Sequence, residues 1–180
     1  MFMTEKITIK YFTSPFGELI VGSYENRLCL LDWRYRKMRE RIDARIQEGL
    51  GVGYALGESD IIERTIREIG EYATGDRRCF DIPLYLVGTD FEKQVWEALQ
   101  NIEFGSTLSY LELSRKIGNE KALRAVGAAN GANAISIIVP CHRIVGSRGE
   151  LVGYAGGLSA KKKLLKQEHI LDLQLDLFTE

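Results

Sequence analysis

The chain has 180 residues, 45% of them hydrophobic, and a net charge of −1. That is enough apolar surface for a full core in one domain or two small ones, and the near-neutral charge argues against a general nucleic-acid coat. No stretch approaches the roughly 18 apolar residues of a membrane span and none at the N-terminus reads as a signal peptide, so a cytoplasmic protein without membrane contact is expected.

In chain order, Ile7 to Phe12, Leu19 to Tyr24 and Leu28 to Trp33 are rich in β-formers and separated by the turn-like Ser14-Pro15-Phe16-Gly17 and Glu25-Asn26. Three antiparallel strands are predicted. A helix is predicted from Lys37 to Glu48, with Met38, Ile42 and Ile46 on one face, and a second from a Ser59 cap to Gly75. Arg78 to Leu86, broken by Pro83, reads as an edge strand or a linker. Thr89-Asp90-Phe91-Glu92 has the form of a capping box before a helix burying Phe91, Val95, Trp96, Leu99 and Ile102. Ser109-Tyr110-Leu111-Glu112 is a second capping box, for a short helix stopping at Gly118, after which Asn119 is expected to cap a third helix to about Asn130. Two short helices joined by a Gly-containing turn form a helix-turn-helix pattern. The third helix is slim, with Ala122, Ala125, Gly127, Ala128 and Ala129 around one long basic side chain, Arg124. Taken alone it reads as close packing against a neighbouring helix before it reads as a surface for a narrow groove. If Ser159 to His169 is helical, Glu168 falls on the stripe of Leu158, Leu164 and Leu165 or points sideways into solvent, and the run Lys161 to Lys163 with Lys166 reads as a solvated face. His169 reads as surface.

The charge is uneven. Residues 1–87 carry 13 Lys/Arg against 14 Asp/Glu, residues 88–171 carry 11 against 8, and residues 172–180 carry 0 against 3. The middle segment can meet a few phosphates. Three widely spaced cysteines, Cys29, Cys79 and Cys141, form no disulfide framework, and with two histidines and no Cys-x-x-Cys pair no metal site is expected. Within Ile137-Ile138-Val139-Pro140-Cys141-His142, however, a cysteine stands beside one of those histidines. A thiolate is the reactive form, so a nucleophilic cysteine needs a neighbour able to take its proton, and His142 can do so. A buried, inert Cys141 and a turn-capping His142 are the alternative.

The set Gly88-Thr89-x-Phe91-x-x-x-Val95-Trp96, Ser109-Tyr110, Arg124-Ala125-Val126-Gly127-x-Ala129, Pro140-Cys141-His142-Arg143 and Gly153-Tyr154-Ala155-Gly156-Gly157-Leu158, with Lys161, Leu164, Leu165 and Glu168, resembles the O6-alkylguanine-DNA alkyltransferases. The match covers residues 88 to 168, with looser agreement at Ser14-Pro15-x-Gly17 and Phe80-x-x-Pro83-Leu84. The resemblance implies an α+β protein. A ribonuclease-H-like α/β domain with a small antiparallel sheet would occupy residues 1–86, a mostly helical, winged-helix-like domain with the helix-turn-helix residues 87–171, and a tail residues 172–180. It implies a monomer that binds the DNA minor groove, flips the lesion base and moves the alkyl group of O6-alkylguanine, with O4-alkylthymine as a further substrate, irreversibly onto its own cysteine without a cofactor. By the same resemblance Cys141 is the acceptor, His142 deprotonates it through a bound water, Glu168 orients His142, and Asn133 holds the turn before the active site. Tyr110 contacts the lesion base and its phosphate, Arg124 fills the gap in the duplex, and Ile144 and Ala155 line the guanine pocket through their backbones. The family's usual Asn-Pro is Asn133-Ala134 here, and its frequent Ile-Pro-Tyr-Gly is Ile102-Glu103-Phe104-Gly105. Each loses a proline and no reactive group.

A non-catalytic lesion sensor or regulator with the same helix-turn-helix is the reading from another class, and a cysteine hydrolase using Cys141, His142 and Glu168 a third. The tail Gln174-Leu175-Asp176-Leu177-Phe178 resembles the pentapeptide by which bacterial polymerases and repair proteins dock on the sliding clamp. Its leucines could equally fold back on their own domain.

Overall fold

The computed structural model describes residues 5–170, so the tail motif Gln174 to Phe178 lies outside the described residues. The chain divides into two compact units between Thr89 and Asp90.

The first unit is built on three antiparallel strands, β1 (Ile7–Ser14), β2 (Gly17–Tyr24) and β3 (Arg27–Trp33). In the β1–β2 turn the Ser14 hydroxyl accepts from the Phe16 and Gly17 amides, each at 3.2 Å, and donates to the Gly17 carbonyl. Between β2 and β3, Glu25 and Asn26 both take positive φ (46° and 55°), the backbone that matches a two-residue hairpin to the strands' twist. Helix α1 (Arg39–Leu50) buries Ile42 and Ile46. Met38 is a correction: it precedes the first helical residue and is exposed, because the helix starts too late to turn it inward. A fourth strand, β4 (Tyr54–Leu56), pairs parallel to β1 and gives the order β3-β2-β1-β4. Helix α2 (Asp60–Thr74) starts at Ser59, whose hydroxyl accepts from the Ile62 amide at 3.2 Å, and packs Ile61, Ile62, Ile69 and Tyr72 beside the sheet. Residues 78–86 form a connection touching the sheet by one bridge, Leu28 to Leu84. Asp32 is fully buried and paired to Arg36 and Arg39.

The second unit is helical around a very small sheet, and the whole is a mixed α/β protein. Helix α3 (Asp90–Gln100) buries Val95, Trp96 and Leu99. Strand β5 (Leu108–Ser109) runs into α4 (Tyr110–Lys116) through the complete capping box of Ser109 and Glu112. The single third helix expected from Glu120 is instead a 3-10 turn, Glu120–Ala122, followed by α5 (Leu123–Gly131), and the Asn119 side chain caps nothing. The Ala122 amide bonds back three residues to the Asn119 carbonyl, so the chain winds tightly before the α-helix starts. Trp96 Nε1 donates to the Ala129 carbonyl at 2.8 Å and pins α5 to α3. Cys141–Arg143 form another 3-10 turn leading into β6 (Ile144–Val145), and α6 (Gly157–Gln167) follows. β5 and β6 pair in parallel, Leu108 with Ile144 and Ser109 with Val145. The ladder ties the start of α4 to the chain that follows the cysteine turn.

Two expectations about α6 are corrected. Leu158, expected on the apolar stripe, is exposed in the first turn, and Lys161, expected in solvent, has 0% exposure. Ala160, Lys161, Leu164 and Leu165 form the inward face, and Lys161 stays there because backbone carbonyls take its charge.

Candidate active site

The loop from α5 to the cysteine is organised by one side chain. Asn133 is buried, and its Oδ1 accepts from the Ile135 amide at 2.9 Å while its Nδ2 donates to the Val139 carbonyl at 2.8 Å and to Cys141 Sγ at 3.1 Å. A donor on sulfur favours the thiolate over the thiol. The absence of proline at Ala134 leaves this turn intact because the bonds of the Asn133 side chain tie it. Within it Ile137 has φ of 72°, a left-handed conformation that a β-branched residue adopts only under constraint, at a cost of about 1–3 kcal/mol. It is buried between the Asn133 clamp and Pro140, where the surrounding bonds hold it.

Cys141 is 3% exposed, and His142 and Glu168 are 0% and 2% exposed. Glu168 follows the last turn of α6, and its Oε1 meets His142 Nε2 at 2.8 Å. The same carboxylate accepts from Arg143 Nε and Nη2, both at 2.9 Å, and from the Gly105 amide at 3.1 Å. Arg143 also donates to the Ile102 carbonyl. Burial opposes the charge on Glu168, but the bonds and charges of His142 and Arg143 outweigh it and hold the carboxyl down at about 2. For His142 burial dominates and lowers its pKa, with Glu168 opposing and Arg143 and Lys161 adding to the fall. A neutral imidazole beside an ionised carboxylate must carry its proton on Nε2 to donate it. Nδ1 is then a bare lone pair, and it is buried without a hydrogen-bond partner among the described residues. The site therefore holds a base ready to accept a proton.

Lys161 was missed as a site residue. Its Nζ donates to the Ile144 and Val152 carbonyls, burial lowers its pKa to about 8, and a Cys141 charge would raise it. The signal was present in the sequence, since residues 160, 161, 164, 165 and 168 fall on one helical face. Arg143 neutralises Glu168, while Lys161 is bonded to carbonyls alone among the described residues. The site thus has a surplus positive charge that a Cys141 thiolate balances.

Tyr110 is half-buried at the start of α4, and its pKa is raised, first by burial and then by Cys141. Ile144 lies in β6 with its carbonyl held by Lys161, and Ala155 is half-buried before α6. Arg124 stands apart, exposed on α5 beside the exposed Leu123, Ala125 and Ala128. His169 is exposed. No group of three or more His, Cys, Asp or Glu able to hold a metal occurs among the described residues. Of the other cysteines, Cys79 is exposed, and Cys29 is buried with its thiol pushed up by that burial to about 12, which keeps it unreactive.

Residues 90–170 match the family model described as 6-O-methylguanine DNA methyltransferase, DNA binding domain. Among curated relatives, a methylated-DNA–protein-cysteine methyltransferase of Mycobacterium leprae is 40% identical over 92% of this chain and 94% of its own length. One of Methanosarcina acetivorans is 38% identical over 87% and 95%. Among solved structures, OGT of Mycobacterium tuberculosis in complex with DNA aligns with a TM-score of 0.77 at 35% identity, covering 89% of this chain and 92% of that one. The O6-methylguanine-DNA methyltransferase of the archaeon Pyrococcus kodakaraensis aligns at 0.62 with 28% identity, covering 90% and 98%.

Proposed function

The chain belongs to the methylated-DNA–protein-cysteine methyltransferase family, and from that premise we propose that Cys141 is the residue that takes the alkyl group. Its function is repair of alkylated DNA by methyl transfer. The observation that carries the residue roles is the His142 imidazole, bonded through Nε2 to Glu168 and open at Nδ1, one residue from a cysteine that accepts from Asn133.

His142 takes the Cys141 proton at Nδ1 through a bound water, and the imidazolium is held by Glu168. The thiolate then attacks the alkyl carbon. The S–C bond forms as the C–O6 bond breaks, and the electron pair departs onto guanine, which recovers the proton from His142. Charge and atoms balance without a cofactor. A soft sulfur nucleophile suits attack on an sp³ carbon, and the thioether formed has no route back to a thiol, so each molecule acts once. O4-alkylthymine offers the same kind of alkyl carbon and is a further substrate.

The part spanning residues 87–171 is read as the DNA-binding and alkyl-transfer domain, winged-helix-like, with α4 and α5 as the helix-turn-helix in the minor groove. Arg124, projecting from the slim exposed face of α5, fills the gap left by the flipped nucleotide. Tyr110 meets the lesion base and its phosphate, and the backbones of Ile144 and Ala155 line the guanine pocket. The part spanning residues 1–86 is read as the ribonuclease-H-like domain. The protein acts as a cytoplasmic monomer, and its tail from Gln174 to Phe178 docks on a bacterial sliding clamp.

Titration of the protein with duplex DNA carrying O6-methylguanine tests this. Repair should stop at one lesion per protein molecule, with unmodified guanine left in the DNA. Repeated turnover would contradict a self-consuming reaction, and binding without repair would leave a lesion sensor.

A further inference from the structure

A single exposed leucine is ordinary on a protein surface, but Leu123 is marked by its place. It is the first residue of α5 and is 42% exposed. The outer side of this helix otherwise carries one long cation, Arg124, and the small Ala125, Gly127 and Ala128. The inner face is made by Val126, Ala129 and Asn130. At about 3.6 residues per turn, Arg124 and Ala128 lie opposite that inner face, with Leu123 and Gly127 along one flank and Ala125 along the other. A Cβ added at Gly127 would lie 3.8 Å from Tyr110 Cε1, so the flank that carries Leu123 is the one facing Tyr110. Leu123 therefore stands on the Tyr110 side of Arg124. The charges around it are uncompensated. Arg115 and Glu120 neutralise each other at 2.9 Å across the turn before α5, whereas Lys121 and Arg124 are exposed and form no ion pair among the described residues.

We propose that Leu123 is the apolar half of a two-residue wedge, packing against the deoxyribose walls of the opened minor groove on the side where the base leaves, while Arg124 fills the gap. A minor groove offers sugar walls between two rails of phosphate, and an apolar side chain fenced by Lys121 and Arg124 matches that pattern. The contact also has the right energetic form. Leu123 is covered only when the groove is open around it, so its burial stabilises the flipped state and does nothing for the closed duplex. A contact shifts an equilibrium only by the difference it makes between two states, and this one falls wholly on the open side. The proposal rests on the reading that α5 enters the minor groove. It gives Leu123 no part in the chemistry at Cys141.

The test compares second-order rate constants for transfer from an O6-methylguanine duplex and from the free base O6-benzylguanine. It uses the full chain and its variants Leu123→Ala, Leu123→Met, Leu123→Gln and Arg124→Ala, with thermal unfolding of each. Leu123→Ala should slow reaction with the duplex roughly three- to tenfold, the scale of uncovering part of a leucine side chain, with a much smaller loss on the free base and a native melting temperature. Leu123→Met, apolar and of similar size, should keep the duplex rate, and Leu123→Gln should fall with the alanine variant. A native duplex rate for Leu123→Ala beside a slow Arg124→Ala overturns the proposal and leaves α5 in the groove. So does a Leu123→Gln variant as fast as Leu123→Met, since the contact would then not be apolar. Equal losses on both substrates overturn it too, making Leu123 a support of the fold around the site. Native duplex rates for both Leu123→Ala and Arg124→Ala overturn the reading of α5 in the groove as well.

Discussion

Glu168→Gln exchanges a carboxylate for an amide of the same shape at a point ringed by donors. Its two oxygens accept from His142 Nε2, from Arg143 Nε and Nη2, and from the Gly105 amide. However the new amide is turned, its NH2 end must face another N–H, and Arg143 is left as a buried cation without its counter-ion. Removing one member of such a pair costs about 3–5 kcal/mol. At about 2–4 °C per kcal/mol for a chain of this size, the melting temperature should fall by roughly 6–20 °C. Chemistry suffers separately, because the imidazolium formed when His142 takes the Cys141 proton loses the charge that holds it. A well-placed base contributes about 10²–10⁴ in rate, and the variant should forfeit roughly the lower end of that range, since His142 itself remains. The assay is rapid-quench single-turnover transfer from an O6-methylguanine duplex, held well below the variant's melting temperature, beside a binding titration on the same duplex. Affinity should be nearly unchanged, because Glu168 is 2% exposed. A folded variant with the native transfer rate would refute the role of Glu168 and, with it, His142 as the base.

Arg124→Ala should impair repair of duplex far more than reaction with the free base O6-benzylguanine, which requires no flipping; equal losses on both would make the arginine structural. Lys161→Met should slow transfer by about tenfold by removing the surplus positive charge that favours the thiolate. Because Lys161 has its pKa lowered to about 8, the native rate should decline as pH rises through that value and the cation is lost, a limb that Lys161→Met should lack. An alkaline decline of the same size in the variant would assign it to another group. Deleting residues 174–180 should leave transfer to short oligonucleotides intact while abolishing binding to a bacterial sliding clamp in a titration, with micromolar-class affinity for the native tail; clamp binding that survives the deletion would exclude the motif.

The legible parts of this fold are those with local causes. The turn at Glu25-Asn26, the Ser59 cap and the Ser109–Glu112 box each depend on residues within a few positions of one another, and each is found. The two-residue strands β5 and β6 are different. Leu108 pairs with Ile144 across a wide span of chain, and neither strand is long enough to leave an alternating pattern. That pairing is nevertheless what ties the start of α4 to the chain that follows the cysteine turn. β4 escaped notice for a similar reason, being three residues that pair in parallel with a distant strand. Cys141, His142 and Glu168 could be picked from the sequence because a nucleophile, a base and a carboxylate on an apolar stripe each stand out chemically. Arg143 and Lys161 were harder, since a positive charge is ordinarily read as solvated, and only the buried carboxylate and carbonyls that receive them reverse the inference.

The central claim is that one particular sulfur receives the alkyl group. Incubating the protein with a slight excess of O6-methylguanine duplex, followed by intact mass measurement and peptide mapping, tests it directly. A mass gain of one CH2 unit on the peptide containing Cys141 is predicted, with Cys29 and Cys79 unmodified and no gain in Cys141→Ser, which should still bind the lesion. Methyl found on Cys29 or Cys79, or transfer that persists in Cys141→Ser, would contradict the account.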